Sequence, residues 1–180
     1  SYAKANPGKV SYGTPGSGTT PHLASKLFEQ VAGVQLLHVP YRGDATALTD
    51  TMGGQVPVAF VNLGPAVTLV QSGKVRALAL TGNTRSAALP GVPTLEEAGF
   101  PNAAVPSWSG LVAPAGTPAA IVARLSQALK VVTDDADFRE KAAQQTADVA
   151  YSTAAAFSHL ADEDRARLGK VIKEAGITLD

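Results

Sequence analysis

Four short apolar runs, 10–12 (VSY), 35–40 (QLLHVP), 56–60 (VPVAF) and 75–80 (VRALAL), alternate with stretches that carry helix spacing and helix punctuation. Strand–helix–strand repetition of this kind leaves few topologies. A parallel sheet with right-handed crossovers is the solution that keeps each connection short and covers the sheet faces. The helices announce their ends. In PHLASKLFEQVAG, Thr20 reads as an N-cap, Pro21 occupies the first helical position and Gly33 follows the last turn. DATALTDTMGG opens at Asp44 and closes at Gly53-Gly54, and GPAVTLVQSG closes at Gly73.

The second half is built differently. Residues 82–107 are rich in turns, and within them Thr94 stands three residues before Glu97, a capping box that opens a short helix. WSGLVAP (108–114) reads as one further strand. The remainder is helical. Thr117 is an N-cap with Pro118 in the first turn of one helix, and DADFREKAAQQT forms the next. The last runs from Ser152 to about Ala175, where Phe157, Leu160, Ala161, Leu168, Val171, Ile172 and Ala175 recur at helical spacing and predict one buried face.

Composition narrows the function classes. Fifteen basic and fifteen acidic residues give zero formal charge, with no basic face, so nucleic acid is not an expected partner. The absence of cysteine excludes disulfides, thiolate nucleophiles and Cys-ligated metals. No apolar run reaches the ~18 residues of a membrane span. No leader pattern is read at the start. Instead the opening SYAKANPGKV reads as the tail of a helix stopped by Asn6-Pro7-Gly8, as in a truncated or processed chain.

The most informative motif is GTPGSGTT, placed between the first strand and its helix. The first N–H groups of a helix are unpaired and carry about half a positive charge. Gly16 and Gly18 let a ligand approach the backbone, and Thr19 and Thr20 add hydroxyls. A small anion, carboxylate or phosphate, suits such a place. The Lys-Ser/Thr ending of a P-loop is missing, and Pro21 stands where G-x-G-x-x-G needs its third glycine. A glycine-rich turn with no ligand accounts for these residues equally well. The other strands lead into YRGDAT, VNLGPA and TGNTR, so one rim collects four polar or glycine-containing loops. There Tyr41, Gly43, Asp44 and Asn62 stand near the expected site. Packing is the simpler reading of Tyr41, a surface charge that of Arg42, and an ion pair with Asp44 or a Glu that of Arg85.

Catalysis finds little support. There is no G-x-S-x-G elbow, and His22, His38 and His159 lack metal-ligand spacing and read as surface or packed histidines. Glu96-Glu97 belongs to the capping box. Asp134, Asp135 and Asp137 mark a helix start, and ADEDRAR (161–167) a solvated face. Trp108 reads as core, with a ligand-lining role as the alternative. No catalytic residue, metal or cofactor is expected.

Four stretches, YAKANPGKVSYGTPGSGTTPHLASKLF, HVPYRGDATALTDTMGGQV, SGKVRALALTGNTRSAALPGVPTLEEAGFP and WSGLVAPAGTP, together resemble the periplasmic substrate-binding proteins of tripartite tricarboxylate transporters, the Bug receptors. The resemblance covers essentially the whole chain, in order. It implies a type II periplasmic-binding-protein-like α/β fold of two domains with a ligand in the cleft. It implies capture of a small carboxylate (a di- or tricarboxylate, an acidic amino acid or an aromatic acid) in the periplasm, and delivery to the transporter's membrane subunits. The family's glycine-rich ligand loop falls on Thr14, Gly16, Ser17, Gly18, Thr19 and Thr20, and the closing loops on Tyr41, Gly43, Asp44 and Asn62. Family members are longer at the N-terminus. Residues 1–107 then correspond to the second, ligand-binding domain. Residues 108–180 correspond to a crossover strand and the C-terminal helices of the first, mostly missing, domain. Those helices would lack most of their sheet, so self-association through them is expected. Two other readings stand beside this one: the effector-binding domain of a transcription regulator, and an enzyme that uses the loop for an anionic substrate with Asp44 or His38 as acid or base.

Overall fold

In a computed structural model, which describes residues 2–178, the chain forms two compact units. One comprises the residues up to Ser107 together with the stretch from Lys170 onward; the other is Trp108–Gly169.

The first unit begins with a single helical turn, α1 (Tyr2–Ala5), and continues β1 (Ser11–Thr14), α2 (Thr20–Ala32), β2 (Leu37–Pro40), α3 (Asp44–Met52), β3 (Val58–Ala59) and α4 (Leu63–Gln71). The sheet is parallel with strand order β2-β1-β3, as the alternation predicts. Registers are set by Tyr12 opposite His38 on one side and opposite Val58 on the other. Strand side chains alternate between faces. Tyr12 and Thr14 therefore share one face of β1 and Gly13 takes the other. Tyr12 is fully buried, its hydroxyl accepting from Ser25 of α2 at 2.9 Å. On the opposite face, a Cβ on Gly13 would come within 3.0 Å of the Tyr41 ring and 3.5 Å of Ala47 of α3. Leu23, Ala24, Ala47, Leu48, Val56, Leu95 and Val105 fill the core, and Phe28 meets Phe60 and Phe100 edge-on or tilted.

Element ends moved slightly from their expected places. Thr19, not Thr20, is the N-cap of α2, with extended backbone, and its hydroxyl donates to Gly16 O at 2.7 Å instead of capping the helix. Gly33 closes the helix in the left-handed conformation, as expected. Two strands differ more. Of 56–60 only Val58–Ala59 pairs, since Pro57 has no N–H to give. The run 75–80 makes no ladder and contributes one parallel bridge, Leu80 to Thr94. The capping box forms, with Thr94 N–H on Glu97 Oε2 at 2.8 Å and Glu97 N–H on Thr94 Oγ1 at 3.2 Å. It closes a turn rather than a helix, because Gly99 at φ +90° and Pro101 end it at once.

The second unit contains α5 (Ala119–Asp134), α6 (Ala136–Gln144) and most of α7 (Ala154–Glu174). Asp135 caps α6, accepting the Phe138 N–H at 2.8 Å. Pro118 rather than Thr117 precedes α5, and the Thr117 hydroxyl turns to Pro114 O. The expected strand at 108–114 is absent. This unit offers no sheet edge for it, and Leu111 and Val112 are 76% and 88% exposed. Trp108 is half-exposed rather than core. Its ring meets Phe157 edge-on at 5.1 Å, and its Nε1–H donates to Asp164 at 2.6 Å. Of the apolar face read along the last helix, Val171 is buried, Phe157, Ala161, Leu168 and Ala175 are part-buried, and Leu160 and Ile172 are just over a third exposed.

Candidate functional site

The sheet order decides where a ligand can enter. The chain leaves β1 toward β2 on one side, then crosses to β3 on the other. The carboxyl end of β1 is thus the point where the winding direction reverses, and open parallel sheets bind ligands in that crevice. The residues standing there are the glycine-rich loop, 14–20, and the short loop after β3.

The loop is held by its own backbone and by β2. Gly16 (φ +149°) and Gly18 (φ +74°) take conformations that L side chains rarely adopt. The Tyr41 N–H donates to Thr14 O at 2.9 Å, and the Gly43 N–H to Pro15 O at 3.0 Å. Thr19 fixes Gly16 O. The outer surface of the loop is left to Ser17, which is exposed, and to the start of α2. Helix geometry leaves the N–H groups of Thr20 and His22 without partners inside α2, and Pro21 has none.

The expected site residues divide into two groups. Gly16, Ser17, Gly18, Thr19 and Thr20 stand together at the crevice. Thr14 lies beneath them, buried, with its hydroxyl 2.6 Å from His38 Nε2 and accepting the Gly16 N–H at 3.3 Å. It supports the loop from inside. Tyr41 packs over Gly13, and its hydroxyl donates to Asp50 at 2.9 Å. Asp44 and Asn62 occupy each other: the Asn62 N–H and Nδ2 donate to the two carboxylate oxygens at 2.9 and 3.0 Å. This clamp fixes the loop after β3 on the first turn of α3, where the helix dipole favours the carboxylate. Arg85 is bound to Glu97 at 2.9 Å, the structural pairing with a glutamate.

Two residues read as merely surface or packed turn out to lie directly under the loop. His22, in the first turn of α2, is 4% exposed, and its ring stacks on that of His38 at 3.9 Å and 12°. The Gly18 N–H donates to His22 Nδ1 at 3.1 Å. The other face of His38 stacks on Tyr12 at 5.2 Å. Burial, with Lys26 nearby, holds the His22 imidazole below its ordinary pKa; burial, His22 and Lys26 bring that of His38 down to about 4. Both rings are neutral at pH 7. The signal for this pair was the register of β2 on β1, which places His38 beside Tyr12 and which spacing alone does not reveal. Ser17, His22, Lys26 and His38 form one side of an open cleft of about 280 Å³; Ala175–Thr178 form the other. Among the described residues no group of three or more His, Cys, Asp or Glu could hold a metal ion.

A family model described as "Tripartite tricarboxylate transporter family receptor" matches residues 1–177. The chain belongs to this receptor family. It is 37% identical over 176 residues to a Cupriavidus necator protein named for its place in the gbd 5′ region, covering 98% of this chain and 53% of that one. A structure described as a periplasmic transporter superposes with a TM-score of 0.84 at 36% identity, over 99% of this chain and 60% of the other. The R. palustris protein Rpa4515, solved with adipate, gives 0.83 at 32%, over 98% and 59%. The chain therefore spans roughly half to three-fifths of the length of the relatives it matches. These neighbours agree with the α/β fold and parallel sheet found here.

Proposed function

We propose that this receptor chain contributes to the capture of a small carboxylate, of the dicarboxylate class, in the periplasm, for hand-over to the membrane subunits of a tripartite transporter, and that it binds without turnover. The observation that carries this reading is the glycine-rich loop at the sheet's winding reversal, in a chain of this family. A carboxylate placed there meets the unpaired N–H groups at the start of α2 and the open side of Ser17. Adipate, the ligand of a neighbour of similar fold, sets the class to try first. Asp44, the nearest candidate base, is consumed by Asn62, which speaks for binding rather than proton transfer.

Thermal-shift titration with adipate, malate and citrate, with phosphate as control, tests the reading. Stabilisation that grows with the concentration of one carboxylate supports it. The variant Ser17→Glu puts a like charge at the exposed rim without backbone strain. It should abolish that stabilisation and leave the ligand-free melting temperature nearly unchanged. If neither this chain nor a protein extended to the family's length responds to any carboxylate, the reading is wrong.

A further inference from the structure

We propose that His22 and His38 act together as positioning residues: a stacked imidazole pair that staples the glycine-rich loop into its ligand-receiving shape while neutral, and releases it on taking up protons. The proposal rests on the carboxylate reading for its functional consequence, not for its structural content.

The geometry assigns each ring a separate task. His22 Nδ1 accepts the N–H of Gly18, so the ring's proton must be on Nε2, and that atom is buried without a partner. An apolar side chain would have avoided this orphaned donor; what the imidazole supplies in its place is the Nδ1 acceptor for Gly18. Gly18 sits at φ +74°, a conformation its neighbours must hold in place. His38 Nε2 engages Thr14 Oγ1, which in turn accepts the Gly16 N–H. The two rings thus fix the loop at Gly16 and at Gly18, one from the strand side and one from the helix side. Their stacking locks the two anchors together.

Protonation undoes the anchor at Gly18, while a protonated His38 still donates its Nε2–H to Thr14 Oγ1. An Nδ1–H on His22 would face the Gly18 N–H, donor against donor. Two stacked imidazolium rings would repel each other and Lys26. The charged and titratable groups around the pair are few. On α2 they are Lys26 and Glu29, themselves paired at 3.1 Å, and on β1 Tyr12, whose phenol burial keeps neutral. The tail residues Ala175–Thr178 across the cleft bring no charge. Among the described residues no carboxylate is paired with either ring to favour its charged form. The glycine-rich loop should therefore loosen in acid, and carboxylate affinity with it.

Nitrogen-15 and proton NMR on the unmodified chain between pH 4 and 8 tests the staple without any ligand. The expected result is an unprotonated His22 Nδ1 at pH 7, and a Gly18 amide resonance that moves in step with the imidazole titrations. A protonated Nδ1 at pH 7, or a Gly18 amide indifferent to those titrations, overturns the proposal. His22→Asn keeps an acceptor near the Nδ1 position but does not titrate; His22→Phe keeps a ring and loses the acceptor. The asparagine variant should hold the Gly18 amide near its native position at both ends of the range, and the phenylalanine variant should not. Equal behaviour of the two overturns the role of Nδ1. With adipate as probe, affinity should fall from pH 7 to pH 4 by a larger factor in the unmodified chain than in His22→Asn, and equal losses overturn the acid release. A pH-coupled Gly18 with no response to any carboxylate, in this chain or in a protein extended to the family's length, supports the staple and sinks the carboxylate reading instead.

Discussion

Gly13 shows how a single missing side chain shapes this molecule. The Tyr41 ring occupies the space a Cβ would need, and the ring is tethered through its hydroxyl to Asp50. Gly13→Val should therefore cost about 1–3 kcal/mol by overpacking. It should appear as a lower urea midpoint with an unchanged slope; an unchanged midpoint would mean the ring yields freely. The histidines give a second prediction with a definite sign. Their folded pKa values lie below the unfolded value of about 6.5, so the unfolded chain binds more protons in acid. The stability held at neutral pH is lost as pH falls from about 6.5 toward the folded values, about 4 for His38. Melting temperatures from pH 7.5 to 4.5 should fall more steeply for the native chain than for a His22→Asn variant, and parallel curves would contradict this. At this scale the sequence was legible where chemistry is local. The glycines of the loop were found because glycine is what φ +74° at Gly18 demands. The histidine pair was not, because stacking depends on register.

Elements were legible in proportion to how much of their stabilisation is internal. Helices α2, α3, α5 and α6 form within a residue or two of their capping signals, since a helix closes its own hydrogen bonds. A strand cannot. VRALAL and WSGLVAP carry strand-like composition, yet each needs a neighbouring edge, and neither finds one for more than the Leu80 bridge. The capping box at Thr94 falls between these cases. Its two reciprocal bonds form as read, Arg85 and the Thr94 backbone hold the Glu97 carboxyl below its ordinary pKa, and the turn still ends after one cycle. Replacing Thr94 by Ala should cost about 1 kcal/mol, in the range of a lost helix cap, even though no helix follows. Chemical denaturation would show it, and a cost near zero would mean the turn is held by packing alone.

At the scale of the whole chain, the two units differ in how well they are filled. The first buries Tyr12, Leu23, Leu48 and Val105 around its sheet. In the second, Thr133 is buried while Ile121, Leu125 and Val132, which share one face of α5, are 50%, 56% and 44% exposed. Contiguous apolar surface of that kind is covered by a partner in most proteins. The 180-residue chain should self-associate through α5–α7 with rising concentration; light scattering coupled to size exclusion would read this, and a strict monomer at every concentration would refute it. Periodicity disclosed that these helices have apolar faces but not what covers them, because burial is a property of the neighbour. The route of the chain was equally hidden: it leaves the first unit after Ser107 and comes back to it at Lys170. One side of the histidine cleft thus precedes the whole second unit in the chain, and Ala175–Thr178 follow it. A chain cut within α7 would keep the whole β1–β3 sheet and lose one wall of the cleft, so the integrity of the loop's surroundings depends on a segment more than 150 residues away from it.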